Sequence, residues 1–205
     1  MKTAPWPCVN TNTEPKLAPP GAGLPAVELL IGRMLFALRR MTATRESVNA
    51  HFQREREAIR VLLQKCDAES GARRVLIARP RGLEDSSRYW SVWITLDHLR
   101  IVNREMARII QDLTQGRIPE GKASTANVKP SPDANAAVVA EYEAACDALL
   151  STVAQARDLN TALRFAHPWF GPLNAAGWHA LSSGHMRIHR EQLSRIIKAL
   201  HGGSQ

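Results

Sequence analysis

Apolar residues recur at helical spacing through four long segments, and this repeat constrains the fold more than any other feature of the chain. The segments run over residues 44–66, 86–114, 133–158 and 174–200. In each segment, apolar side chains three and four positions apart form a stripe, as in a helix that buries one face. The alternating pattern of half-buried strands is nearly absent. The sequence therefore predicts an all-α fold, a four-helix bundle.

Further segments complete the predicted architecture. A helix is predicted over residues 24–43, where apolar side chains cover more than one face and must pack on something. The bundle is the expected partner, and a second subunit is the alternative. Residues 1–23 are rich in proline and glycine and are expected to form a disordered or irregular arm. The bundle domain is predicted over residues 44–201, with a long overhand connection at 116–132.

Composition limits the classes of function. The net charge of +8 could suit nucleic acid, but the basic residues are spread along the chain and alternate with acidic ones. Nucleic acid is therefore not an expected partner. No apolar run approaches the roughly 18 residues of a membrane span, and no membrane association is predicted. The three cysteines lack CxxC spacing, which favours a reducing, cytoplasmic location over a disulfide framework.

Three histidines lie on apolar faces of the predicted helices. His185 and His189 are four residues apart in the last helix, so both imidazoles project from the same side. His98 lies on the stripe that also holds Ile94 and Ile101. Neutral imidazole is an intrinsic ligand of divalent metals, and neighbouring buried imidazoles need a partner. We predict a metal site of His98, His185 and His189, with zinc preferred and nickel, iron or manganese as alternatives.

The surroundings of this histidine pair exclude one reaction and suggest orienting groups. In the metalloprotease motif HExxH, a catalytic glutamate directly follows the first histidine. Here that position is Met186 and the next is Arg187, so a peptidase is not expected. Asp97 or Glu105 could orient the ring of His98 by a hydrogen bond. Because seven histidines in 205 residues produce such a pair by chance fairly often, the spacing alone is a weak motif.

Two other polar residues lie near predicted apolar faces. Glu55 falls on or beside the stripe of the first bundle helix, and we expect it at the rim with its charge in water. His167 begins a rigid aromatic turn and could approach the mouth of the metal site. Neither residue is assigned a ligand role.

Two stretches resemble a known family. The run from Tyr89 to Leu99 reads YWSVWITLDHL and resembles the second bundle helix of the DinB/YfiT-like proteins, where an aromatic-Ser segment precedes one ligand histidine. The run HPWFGPL at 167–173, then Trp178 and the pattern HxxxHRxQ at 185–192, is similar to the end of the same domain. The resemblance covers about residues 44–200.

The resemblance implies a four-helix bundle, often dimeric, in which three histidines hold a divalent metal. By position these are His98, His185 and His189. Characterised relatives include transferases and isomerases that use low-molecular-weight bacterial thiols. We therefore expect a metal-dependent enzyme, with thiol S-transfer as the favoured reaction, a small-molecule substrate or thiol as its partner, and a homodimeric assembly. The alternative is a non-enzymatic metal-binding or stress-response bundle protein.

Overall fold

Helices account for most of the structure, a computed structural model that describes residues 14–202. They are α1 (Ala26–Thr42), α2 (Arg45–Leu63), α3 (Ala68–Ala72), α4 (Val92–Thr114), α5 (Val138–Gln155) and α6 (Ala175–Gly202). Two short antiparallel strand pairs join them: β1 (Val75–Leu76) with β2 (Tyr89–Trp90), and β3 (Phe165–His167) with β4 (Gly171–Leu173). The first thirteen residues of the predicted arm lie outside the described part of the chain.

The four long helices α2, α4, α5 and α6 form the predicted bundle, which confirms the fold class. Helix α4 packs against both α5 and α6, and α2 packs against α6. Each helix contributes at least one large side chain that is no more than 1% exposed: Phe52, Leu96, Tyr142 and Leu193. The apolar stripes read from the sequence therefore meet in a single core. None of the helices in residues 14–202 is both long and apolar enough to span a bilayer.

Two helix starts follow from side-chain capping. The Thr44 hydroxyl accepts a hydrogen bond from the Ser47 amide, and the Ser47 hydroxyl accepts one from the Thr44 amide. This capping box satisfies amides that have no partner inside α2. Asn174 Oδ1 accepts from the Gly177 amide and begins α6 in the same way.

The predicted start of the next bundle helix at Ser86 or Ser87 is wrong. Residues 85–87 form a 3-10 turn, and the following pair of residues forms β2 instead of a first helical turn. Trp90 therefore pairs with Val75 across the hairpin. Helix α4 begins only at Val92, where the Ser91 hydroxyl accepts from the Ile94 amide. Pairing with a distant strand overrides the helical pattern of this aromatic segment.

The long connection before α5 is also longer than predicted. Helix α5 begins at Val138, not Asp133, because Asn135 Oδ1 accepts from the Ala137 amide and holds a turn there. The connection passes close to α4, where Asp97 Oδ2 accepts from the Ser131 amide at 2.7 Å. This contact places the preceding residues of the connection over the side of α4 that carries His98.

Helix α1 lies outside the bundle against α6 and buries none of its residues. Its Phe36 ring packs on Phe170, with ring centroids 4.6 Å apart. Its Arg33 Nε donates to the Trp169 carbonyl at 2.6 Å. The helix is thus attached by one aromatic contact and by polar groups, in contrast to the apolar seams of the bundle.

Candidate metal centre

The structure brings the three predicted histidines together between two bundle helices. Helix α4 supplies His98, and α6 supplies His185 and His189. One ring nitrogen of each residue lies within 4.8 Å of the others. Their ring centroids are 4.4 Å apart for His185 and His189, and 4.6 Å apart for His98 and His189. A group of this size and composition can hold a metal ion.

The backbone of the long connection orients His98. Its Nδ1–H donates to the Val128 carbonyl at 2.9 Å, and a carbonyl can only accept, so Nε2 carries the lone pair that faces the cluster. Neither predicted carboxylate makes this contact. Asp97 accepts from Arg100 and from the Ser131 amide, and Glu105 accepts from Arg108. Asp97 acts on His98 only by anchoring the connection.

Gln192 orients His189, and the sequence analysis did not identify this role. The Gln192 side-chain NH₂ donates to the Ser87 carbonyl at 2.7 Å, which leaves its Oε1 facing His189. Nδ1–H of His189 donates to that oxygen at 2.7 Å. The lone pair of Nε2 is therefore free, as metal ligands require. The i, i+3 spacing of the two residues in one helix was the available signal.

His185 has no such orienting partner. Its Nε2 lies 3.2 Å from Nε2 of His98. Two nitrogens bound at about 2.1 Å to one tetrahedral ion are roughly 3.4 Å apart, so this separation suits a shared metal. Within residues 14–202, the buried Nδ1 of His185 has no hydrogen-bond partner. An ion bound at Nε2 would leave this Nδ1 without a partner, so the fit to a metal rests on the convergence of one ring nitrogen from each histidine.

Burial keeps the three imidazoles neutral. It lowers the pKa of His98 to about 4, even though the Val128 carbonyl opposes the shift. Burial lowers the pKa of His185 and of His189 well below the usual value, and the neighbouring histidines add to both shifts. Neutral imidazole is the form that binds a metal, so the cluster needs no deprotonation at neutral pH.

Aromatic rings and an open cavity surround the cluster. The indole of Trp90 lies parallel to the ring of His189, with an interplanar angle of 8°, and its centroid is 5.3 Å from that of His98. The histidines line a cavity of about 1360 Å³ that also reaches His167 and Phe36. Burial lowers the pKa of His167 to about 4. His167 lies in β3, and its place in the cavity agrees with the expectation that it approaches the mouth of the site.

The charges along this cavity are unequally matched. Its acidic residues are engaged: Glu28 accepts from Arg79, Glu105 from Arg108, Glu191 from Arg195, and Glu84 from backbone amides and Thr125. Six of its basic residues, in contrast, form no ion pair in the part of the chain that the structure describes. Arg39 is held by hydrogen bonds to His51 and Ser183, and the other five are Arg81, Arg104, Lys122, Lys129 and Arg187. The unmatched charge of the cavity is therefore positive.

The remaining described histidines do not join the cluster. His179 Nε2–H donates to Asn49 Oδ1 at 2.8 Å, and His201 is exposed at the end of α6. His51 interacts with Glu55, whose predicted position at the rim is wrong. Glu55 is only 8% exposed because Arg190 of α6 and His51 cover its carboxylate.

Two comparisons concern the fold and the family. A crystal structure of TT2238, a four-helix bundle protein, is similar in fold to this chain, with a TM-score of 0.53 and 23% sequence identity. The similarity covers 74% of this chain and 98% of that one. No curated protein matches the sequence. The sequence profile of the DinB superfamily matches residues 51–193, a range that contains all three clustered histidines. The chain belongs to the DinB superfamily.

Proposed function

We propose that the chain is a divalent-metal-dependent enzyme that transfers a low-molecular-weight thiol to an electrophilic small molecule. The convergence of three neutral imidazoles, one nitrogen from each within 4.8 Å of the others, carries the proposal. Zinc is the preferred ion because three protein ligands with an open position are typical of catalytic zinc. Nickel, iron and manganese are the alternatives. The preference for thiol transfer rests on the family resemblance.

The chain's own residues would hold the ion and shape its surroundings. Val128 and Gln192 would hold His98 and His189 with Nε2 toward the ion, and the indole of Trp90 lies beside both rings. When bound, the ion would lower the pKa of a coordinated thiol or water. In the proposed reaction the thiol proton passes to water, a sulfur–carbon bond forms, and the leaving group departs with the bonding electron pair.

The unmatched basic residues suggest which thiols fit the cavity. Arg104 of α4 and Arg187 of α6 project from the two helices that carry the histidines, and both line the cavity. Cationic side chains without acidic partners favour ligands that carry carboxylates or phosphates. We therefore propose that the thiol, or the electrophile, is an anionic molecule whose charged groups lie against these residues.

Metal analysis tests the site directly. Untagged protein, stripped with a chelator and titrated with zinc, should bind about one ion per chain. Alanine in place of His98, His185 or His189 should weaken binding by at least about 100-fold, since two imidazoles bind far less tightly than three. His179→Ala is the matched control, because it removes a buried histidine outside the cluster. A folded wild type that binds no divalent metal contradicts the proposal.

Turnover tests the reaction. Zinc-loaded protein should speed the coupling of glutathione to chlorodinitrobenzene, and the His185→Ala variant should not. Arg104→Gln and Arg187→Gln should raise KM more than they lower kcat, because their role is to bind the ligand. Arg164→Gln, an exposed arginine away from the cavity, is the control. Tight metal binding with no turnover of any anionic thiol would favour the non-enzymatic metal-binding protein.

A further inference from the structure

The outer face of α1 carries an unusually regular apolar stripe. Val27, Ile31, Met34, Leu38 and Met41 are separated by four, three, four and three residues. They are 71%, 51%, 59%, 61% and 82% exposed, respectively. This spacing matches the a and d positions of two heptads, and in a coiled coil such a stripe, here called the seam, is buried against another helix. A soluble monomer rarely leaves so continuous an apolar surface open to water.

The charged residues of the same helix point the other way. Glu28 accepts hydrogen bonds from Arg79 and from the Gly82 amide. Arg39 donates to Ser183 and to His51 on the bundle. Helix α1 therefore directs Glu28 and Arg39 toward the rest of the molecule, while its seam residues remain more than half exposed to solvent.

We infer that α1 pairs with α1 of a second copy of this chain. The other large apolar residues that are exposed in the described chain are scattered singly, at Val61, Leu76 and Ile118, so none of them offers a matching stripe. A seam fits best against another heptad seam, and in this protein α1 itself provides it. The same surface used by both copies makes a closed two-fold contact.

The size and charge of the surface agree with this pairing. Leu30 and Leu35 flank the seam and are 59% and 62% exposed. With the five seam residues they present an apolar area on the order of the ~800 Å² that each partner gives to a standard interface. Because Glu28 and Arg39 are engaged by the bundle, no like charges meet across the seam.

The pairing also bears on the cavity above the histidines. Ile31 belongs to the seam and Leu35 flanks it, and both line the cavity. A second copy seated on α1 would therefore cover the part of the cavity that Ile31 and Leu35 line. The dimer would shape the entrance without supplying metal ligands.

Mass measurements on the full-length chain test the pairing. Light scattering and sedimentation should find a dimer for the wild type. Met34→Glu places a charge at the centre of the seam and should raise the dimer dissociation constant by at least about 30-fold. Ile118→Glu adds the same charge at another exposed apolar residue and should leave the dimer intact. Circular dichroism checks that both variants stay folded.

Cross-linking locates the contact. Met34 lies at the middle of the seam and comes opposite its own copy whether the helices run parallel or antiparallel. In a Cys8→Ser, Cys66→Ser background, oxidised Met34→Cys should form a covalent dimer, and Ile118→Cys should not. A monomeric wild type, a dimer that Met34→Glu leaves unchanged, or failure of Met34→Cys to cross-link would overturn the pairing. A monomer that binds lipid vesicles through the same residues would assign the seam to a membrane surface instead.

Discussion

Helices α1 and α4 have similarly apolar sequences but opposite relations to the rest of the molecule. Helix α4 buries most of its apolar side chains, including Leu96 and Ile110 at 0% exposure. Helix α1 buries none and touches the bundle mainly through charged side chains and Phe36. The hydrophobic effect therefore holds α4 in place, whereas a few polar contacts hold α1.

From this difference we infer that the bundle and its histidine cluster do not depend on α1 for stability. Every group that orients the imidazoles belongs to α6 or to the segments between bundle helices: the Val128 carbonyl for His98, and the Gln192 side chain, held by the Ser87 carbonyl, for His189. Helix α1 lines part of the cavity wall but supplies none of these orienting groups. We expect perturbations of α4 to unfold the protein, and perturbations of α1 to change its assembly and local motion.

The largest contrast is expected between two leucine truncations. Leu96→Ala in α4 should lower the free energy of unfolding by about 2–5 kcal/mol, because it leaves a cavity in a closed core. Leu30→Ala in α1 should change it by less than ~0.5 kcal/mol, since that side chain is 59% exposed. Urea unfolding of chelator-treated protein measures both, in a Met34→Glu background to exclude effects of pairing. Equal losses would show that α1 is part of the core.

Helical periodicity explains why the fold and the histidine cluster could be predicted. The stripe through Ile94 and His98 is a property of local spacing, and so is the i, i+4 relation of His185 and His189. Once these stripes face one core, the three rings converge without further information. Capping by Thr44 is equally local, because its partner Ser47 is three residues away.

The features that escaped prediction depend on contacts between distant parts of the chain. Tyr89 and Trp90 leave the helical pattern because they pair with β1. Glu55 is buried because Arg190, 135 residues later, covers it. Val128 reaches His98 only because Asp97 anchors the connection. Sequence periodicity also shows that α1 is apolar on more than one face, but it does not show which face packs against the bundle.

Acidification should affect two histidines differently: His179, inside the bundle, and His51, which contacts Arg39 of α1. Burial, assisted by Arg45, lowers the pKa of His179 to about 4. As pH falls, His179 is therefore protonated near pH 6.5 in the unfolded chain but only near pH 4 in the folded chain. Stability is full above pH 6.5 and falls across this window, by up to about 3 kcal/mol from this group.

Unfolding of chelator-treated wild type and His179→Gln at a series of pH values measures this contribution. The variant should lose less stability between pH 6.5 and 4, because its side chain does not titrate. Parallel curves for the two proteins would mean that His179 is not the group that senses acid.

The attachment of α1 should depend on Arg39. Its guanidinium donates to Ser183 at 2.8 Å and to His51 at 2.6 Å. Arg39→Met keeps the apolar stem but removes both hydrogen bonds, at a cost of about 1–2 kcal/mol to the docking of α1. Hydrogen exchange should become roughly tenfold faster in α1 and stay unchanged in α4. Arg54→Met, an exposed arginine on α2, is the control, and unchanged exchange in α1 would show that other contacts hold the helix.

The smallest effect concerns the pH dependence of the same contact. Nδ1 of His51 accepts from Arg39, so its Nε2–H donates to Glu55. Burial, and then the charge of Arg39, lowers the pKa of His51, while Glu55 opposes the shift and Arg54 adds to it. Protonation would turn Nδ1 into a second donor facing the guanidinium. The contact is therefore present above the ordinary histidine pKa and lost as pH falls through the lowered one. We expect exchange in α1, corrected for intrinsic rates, to rise a few-fold on acidification in the wild type and not in Arg39→Met, because that variant has already lost the contact.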